Sequence, residues 1–310
     1  MEMAAEPSVR VFGVLCTYRR PALAISFIDA LRRQTLSIAT LVVVDNGNDE
    51  SLASSLRQLD ASPISVIYIA PGSNLGPAGA LHEGLVELAG LIAPDDLIIH
   101  FDDDDPPVDS TQIAHLVHRL LSERRRDPTI GGIGLSGGNL NRRTGVVSAA
   151  SRSSGLAEVD HLHGGYLPTY VARALQEVDG NDPSFFFGFE ELELGRRLGL
   201  EGWHLLVDVA FMEQLQHLYS KKSEAPTVVR NPDHPWSRFH KERNLIRILR
   251  RERLWCAVAF TVFVRHLVAP LVRGVIHPAA AFGRVRLGLR AAAAGLRNEG
   301  GIDSRYPPPR

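Results

Sequence analysis

Residues 97 to 107 read LIIHFDDDDPP, an apolar run that passes directly into four consecutive aspartates, Asp102 to Asp105. Leu97 to Phe101 has the composition of a buried strand. Adjacent carboxylates repel one another, so the cluster calls for full solvation or for a positive charge among its members. An acidic run in isolation is most simply a solvated turn or a helix N-cap, here with Asp109 and Ser110 as following cap candidates. Its place in the chain argues for more. Other apolar runs also end in polar clusters: Val9 to Leu15 is followed by CTYRR, and Leu41 to Val44 by DNGND. Ile64 to Ile69 is a further strand. Between the strands, Pro21 to Gln34 (Leu23, Phe27, Ile28, Leu31), Pro77 to Leu91 (Leu81, Leu85, Leu88) and Thr111 to Leu121 have helical spacing. Continuous apolar strands alternating with amphipathic helices predict an α/β fold, a mostly parallel sheet flanked by helices. Ligands bind at the carboxyl edge of such a sheet, where all three polar clusters are expected to meet.

The whole composition is compatible with that reading. The chain has 310 residues, 45% hydrophobic, with a net charge of −1, enough for one large domain or a domain with an appendage. Its two cysteines, Cys16 and Cys256, make neither a disulfide framework nor a zinc-ligand pattern. The start MEMAAEPSVR lacks the apolar run of a secretory signal, and no run of about 20 residues is free of charge, so no clear membrane span is expected. The two cysteines fit a reducing cytosol, and a cytoplasmic location is expected.

From about Gly131 the pattern shifts to short strands, a turn at Asn141 to Gly145, a loop and strand in HGGYLPTYV, a helix at Glu190 to Leu200 and a strand at Leu205 to Val207. Loop-rich structure of this kind suits a pocket for a second substrate. GIGLSG (Gly132 to Gly137) matches a dinucleotide-binding pattern, but turn-like GNLNRRTG follows where that motif requires a helix. His115 and His118 have no third ligand nearby, nor do His161 and His163.

Beyond residue 227 the chain becomes basic and helical. Between Arg238 and Arg290 twelve Lys or Arg face only Glu242 and Glu252. LWCAVAFTVFV (Leu254 to Val264) and HLVAPLV (His266 to Val272) interleave with them. Apolar stretches flanked by arginines suit an anionic membrane surface, and a helical hairpin packed on the rest of the chain is the alternative. Few aromatics alternate with the basic residues, so no nucleic-acid partner is expected. The expected division is residues 1–226 for catalysis and 227–310 for a basic, helical, membrane-associating region, with the tail RYPPPR disordered.

Five segments carry a family resemblance: VLCTYRRP (Val14 to Pro21), VVVDNGNDES (Val42 to Ser51), NLGPAGALHEGL (Asn74 to Leu85), HFDDDDPP, and FFFGFEELELGRRLGLEGW (Phe185 to Trp203). Their order and spacing resemble the family 2 glycosyltransferases with the GT-A fold over about residues 8–250, most of all bacterial rhamnosyl- and galactofuranosyltransferases of cell-envelope polysaccharides. The resemblance implies that Thr17, Tyr18 and Arg19 line a nucleotide pocket. It implies that Asp45 hydrogen-bonds the base beside Asn46, and that Asn74 and Gly76 to Gly79 allow close approach of a UDP- or dTDP-linked sugar. Asp102, Asp104 and His217 would hold Mn²⁺ or Mg²⁺, with Asp103 facing ribose or sugar. Glu191 would be the general base, where the family commonly has Asp. Glu190 and a mobile loop of His163, Gly164 and Gly165 would meet a glycan or lipid-linked acceptor at the inner face of the cell membrane. One base and one displacement imply inversion at the anomeric carbon; a homo-oligomer is compatible with the sequence.

Plainer readings exist for several of these residues. Glu190, Glu191 and Glu193 suit a helix N-terminus, Glu193 can pair with Arg197, Asp45 can cap a turn before Gly47, and His217 can be structural. Two rival functions are a sugar nucleotidyltransferase and a non-catalytic nucleotide-sugar-binding protein. The first normally has a glycine-rich phosphate loop after the first strand, and CTYRRPALA has no glycine. The second is opposed by the intact set of Asp102, Asp104 and Glu191.

Overall fold

The computed structural model describes residues 9–150, 155–223, 234–273 and 278–308. The first half alternates as expected: β1 (Val11–Thr17), α1 (Pro21–Arg32), β2 (Thr40–Asp45), α2 (Glu50–Gln58), β3 (Ser65–Ile69), α3 (Gly76–Leu88), β4 (Leu97–Asp102) and α4 (Gln112–Arg126). Helix α2 is the one element here that sequence periodicity did not reveal. It buries only Leu52 and Ala53, and it is started by Asp49, whose side chain accepts the Ser51 amide. The chain continues through β5 (Ile130–Gly134), β6 (Gly137–Leu140), β7 (Val147–Ala149), β8 (Leu156–Val159), β9 (His161–Leu162), β10 (Thr169–Val171), α5 (Ala172–Glu177), a 3₁₀ turn (Pro183–Phe185), α6 (Glu190–Leu200), β11 (His204–Asp208) and α7 (Val209–Ser223).

The main sheet runs β3-β2-β1-β4-β10-β5-β11-β8, and β7-β6-β9 form a small second sheet. Strands β3, β2, β1 and β4 are parallel, while β10 lies antiparallel between β4 and β5. Strands β1, β2 and most of β4 are buried on both faces, which explains their uninterrupted apolar runs. The register places Thr17 opposite Asp45 and Cys16 opposite Asp102. The three polar clusters therefore do share one sheet edge. GIGLSG links β5 to β6 with no helix after it.

The expected boundary at residues 226 and 227 lies outside the described residues. Beyond it come α8 (Pro235–Arg251), α9 (Trp255–Phe260), π-helical turns (Thr261–Val268), α10 (Ala269–Arg273) and α11 (Pro278–Leu296). Helix α8 joins the body of the protein through a core that unites Leu245, Ile246 and Leu249 with Ala78, Leu140, Phe185 and Leu192. Part of the basic run is spent on this contact. Arg243 and Arg247 are each 1% exposed. Arg243 donates to the Gly301 carbonyl at 2.7 Å, Arg247 to the Ser184 carbonyl at 2.9 Å, and Arg251 pairs with Asp182 at 2.8 Å and Glu193 at 3.0 Å. The tail is not free up to residue 308: Tyr306 stacks on Phe239 with ring centroids 4.4 Å apart.

One segment departs from the expectation of no clear span. Trp255–Val272, mean hydropathy 1.7, is helical and long and apolar enough to cross a membrane. Its interruptions are Arg265 and His266, and both reach Glu242 of α8 at 3.0 Å. That ion-paired face fixes the segment to α8. Trp255, Phe260, Phe263, Leu271 and Val272 are exposed.

Candidate active site

Strand β4 delivers its last residue, Asp102, to the carboxyl edge, and the chain turns there, with the Asp105 amide donating to the Asp102 carbonyl at 3.1 Å. The turn sends successive carboxylates in different directions. Asp102, Asp104 and Asp105 are half-buried and each offers an oxygen within 4.8 Å of the others. Asp103 turns inward. It is 2% exposed, accepts the Thr17 hydroxyl at 2.6 Å and pairs with Arg20 at 2.8 Å; Arg20 also reaches Asp104 at 3.1 Å. Burial pushes the Asp103 carboxyl up to about 6 against the pull of Arg20 and Thr17. Burial, then the repulsion of Asp104, Asp105, Asp103 and Glu190, pushes Asp102 up to about 7. Three clustered hard oxygens under mutual repulsion fit a divalent cation such as Mg²⁺ or Mn²⁺.

Two of the expected site residues are placed differently from the three clustered carboxylates. Asp103 does not face the open edge, because Thr17 and Arg20 hold it against β1; Thr17 is likewise buried in that contact. His217 does not join the carboxylates. Helix α7 starts directly after β11 and carries His217 on an exposed face, with Nδ1 3.1 Å from the Gln214 carbonyl. Among the described residues the third member of the cluster is Asp105, which the sequence reading passed over although it belonged to the same run.

Helix α6 brings Glu190 and Glu191 to the same place. The segment before it, FFFGF, has left-handed backbone at Phe186 (φ 55°), Gly188 (φ 83°) and Phe189 (φ 64°), unusual for two phenylalanines. The buried Asn244 of α8 holds this segment by donating to the carbonyls of Phe185 at 2.7 Å, Phe187 at 3.1 Å and Gly188 at 2.8 Å. Glu191 accepts the Gly164 amide at 2.5 Å. A Cβ on Gly164 would lie 2.5 Å from Glu191 Oε1 and 3.1 Å from Asp102 Oδ2, so this glycine is wedged between base candidate and metal-ligand candidate. Burial, then the charge of Glu190, raises Glu191; burial raises Glu190. The neighbouring Glu193 makes the plainer helix pair, with Arg197 at 2.7 Å.

The loop of His163, Gly164 and Gly165, expected to be mobile, is pinned. The His163 amide donates to Ser136 at 2.9 Å, its Nδ1 lies 2.9 Å from Ser136 Oγ, and Gly165 (φ 72°) packs on Asp105. Across the edge, Asp45 is fully buried and its oxygens are occupied by the amides of Gly47 (2.8 Å) and Asp49 (2.6 Å) and by Tyr68 Oη (2.9 Å). It builds the turn that shapes this corner. Asn46 clamps the next loop, accepting the Leu75 amide at 2.9 Å and donating to the Gly76 carbonyl at 3.1 Å; Asn74 accepts the Gly76 amide at 2.8 Å. Gly76 (φ 68°) packs against the Phe186 carbonyl, and a Cβ on Gly79 would meet Leu75, so both glycines serve close packing of α3. Tyr18 is half-buried and Arg19 exposed, its guanidinium 5.6 Å from the Tyr18 ring.

A sequence profile described as "Glycosyl transferase family 2" matches residues 14–162. The chain is 30% identical over 206 residues to galactofuranosyltransferase GlfT1 of Mycolicibacterium smegmatis, covering 62% of this chain and 66% of that protein. It is 28% identical over 253 residues to galactofuranosyltransferase GlfT1 of Mycobacterium tuberculosis, covering 76% and 80%. Its fold is similar to that of the mannosyltransferase PcManGT from Pyrobaculum calidifontis, solved in complex with GDP-Man and Mn²⁺, with a TM-score of 0.53, 16% identity, and coverage of 95% of this chain and 89% of that one. Fold and motif order agree on a GT-A architecture, and over residues 14–162 the chain is similar to glycosyl transferase family 2.

Proposed function

We propose that this chain transfers a sugar, galactofuranose in first place and rhamnose in second, from a nucleoside diphosphate donor to a hydroxyl of a cell-envelope glycan or lipid-linked acceptor, with inversion. The observation that carries the reading is the meeting of Glu191 with Asp102, across Gly164, at the carboxyl edge of the sheet. Galactofuranose is favoured by the identity to the two GlfT1 relatives.

Asp102, Asp104 and Asp105 are the residues that would hold the cation. When bound, Mn²⁺ or Mg²⁺ would neutralise charge on the departing diphosphate. Glu191 takes the proton of the acceptor hydroxyl as that oxygen bonds to the anomeric carbon. The bond from the anomeric carbon to the diphosphate oxygen breaks, and its electron pair leaves with the nucleoside diphosphate. A single displacement inverts the centre. Burial and Glu190 raise the Glu191 carboxyl, which makes it a stronger base than an exposed glutamate. Arg20 and Thr17 hold Asp103 inward, so that the turn aims its neighbours at one point.

The acceptor is brought by a membrane in this reading. Trp255, Phe260, Phe263, Leu271 and Val272, with Phe282 and Leu289 of α11, are exposed apolar residues, and Arg253, Arg284 and Arg286 are exposed, a combination that suits an anionic membrane surface. Peripheral attachment at the inner face of the cell membrane fits it.

The test is a donor-turnover assay with Mn²⁺. Release of nucleoside diphosphate with transfer of sugar to a hydroxyl acceptor is expected. Release of pyrophosphate would point to nucleotidyl transfer instead, and binding without turnover to a non-catalytic protein. Sedimentation with anionic vesicles, lost on Phe263→Glu, is the expected result for the membrane surface.

A further inference from the structure

Beside Glu190 and Glu191 lies a small, partly open pocket of about 30 Å³, walled by α3, β4, β10 and α6 and reaching Asp102 and Gly164. Its polar lining includes His100, Asn181 and the two glutamates. His100 Nε2, both side-chain amide atoms of Asn181, and Glu190 Oε2 are buried and have no hydrogen-bond partner among the described residues. His100 is 6% exposed, Asn181 2% and Glu190 9%. Buried polar atoms without a partner are few in a folded protein, and here those of three residues line one chamber. A water molecule needs roughly 10–15 Å³ of such space and two to four polar partners. The pocket meets both conditions.

We propose that this cavity is a hydration site in which buried water joins His100 Nε2, the Asn181 amide and Glu190 Oε2, making His100 and Asn181 positioning residues for the Glu190–Glu191 pair. The Asn181 amide donates to the water, and the water donates to Glu190 Oε2. Glu190 is thereby fixed at the first turn of α6, and with it the backbone that aims Glu191 past Gly164. The inference rests on Glu191 as the general base, but the water itself does not.

A high-resolution crystal structure of the full chain is expected to show water density within hydrogen-bond distance of Asn181 and Glu190 Oε2. Asn181→Leu replaces the amide with an apolar group of similar size that cannot hold the water. It is expected to lower kcat by roughly ten- to a hundred-fold through misplacement of the base, leaving the donor KM and the donor-induced rise in melting temperature unchanged. Asn181→Ser, which keeps a hydroxyl and leaves room for water, is expected to restore turnover. If Asn181→Leu does not fold, His100→Phe, which retains the ring packing on Tyr170, reads the same split. A dry cavity, or wild-type kcat in Asn181→Leu or His100→Phe, overturns the proposal. Full transfer by Glu191→Gln with water still in place would instead remove the base assignment and leave the hydration site standing.

Discussion

The amide of Gly164 donates to Oε1 of Glu191 at 2.5 Å. This bond ties the loop after β9 to the first turn of α6, and it leaves no room for a side chain at residue 164. Gly164→Ala is therefore expected to displace the Glu191 carboxylate, the more mobile of the two partners. Turnover should fall by about ten- to a hundred-fold with little change in melting temperature, measured side by side on the purified protein.

The cation site is expected to consist of Asp102, Asp104 and Asp105 without His217. Asp104→Ala and Asp105→Ala should each abolish the Mn²⁺-dependent part of the rise in melting temperature on adding nucleotide sugar. His217→Ala should leave it unchanged, because His217 sits on the exposed face of α7. Loss of the Mn²⁺ effect in His217→Ala would restore that histidine to the site.

Asp102 gives a pH dependence with a definite sign. Its folded-state value of about 7 lies above the ordinary 3.8, so the folded protein holds this proton more tightly than the unfolded chain. Its contribution to the stability of the cation-free protein is full below the ordinary value and is lost as pH rises toward about 7. Protons also compete with the cation, so Mn²⁺ affinity should climb between about pH 6 and about pH 8. Calorimetric titration across that range checks the second effect, and thermal melts in chelator check the first.

Asn244 links the C-terminal helices to catalysis. Its amide holds three carbonyls of the FFFGF segment that launches α6. Asn244→Leu leaves those buried acceptors without their donor, a loss of about 1–3 kcal/mol, read as a lower denaturant midpoint. Turnover should fall with it, since the Phe186 and Phe189 backbone is held in place by this contact.

The sheet and its edge were legible because β1, β2 and most of β4 are buried on both faces and so read as unbroken apolar runs. Parallel topology then places every strand's final residue on one side. The direction of individual carboxylates was not legible. Asp103 is turned inward by Thr17 and by Arg20, which reach it from 86 and 83 positions earlier in the chain, Arg20 being shared with Asp104. Charge counting likewise says nothing of burial: Arg243 and Arg247 read as part of a basic surface, yet they are interior residues fixed on carbonyls. His100 opens the HFDDDDPP segment but gave no signal of its own, Asn181 belongs to no recognisable pattern, and only the pocket they line relates them to Glu190.

The most direct test is the Glu191→Gln protein assayed with a nucleoside diphosphate galactofuranose, Mn²⁺ and a hydroxyl acceptor. A base in this position contributes about 10²- to 10⁴-fold. Donor binding at wild-type strength with transfer reduced by that factor is the predicted result. Transfer at the wild-type rate would contradict the account.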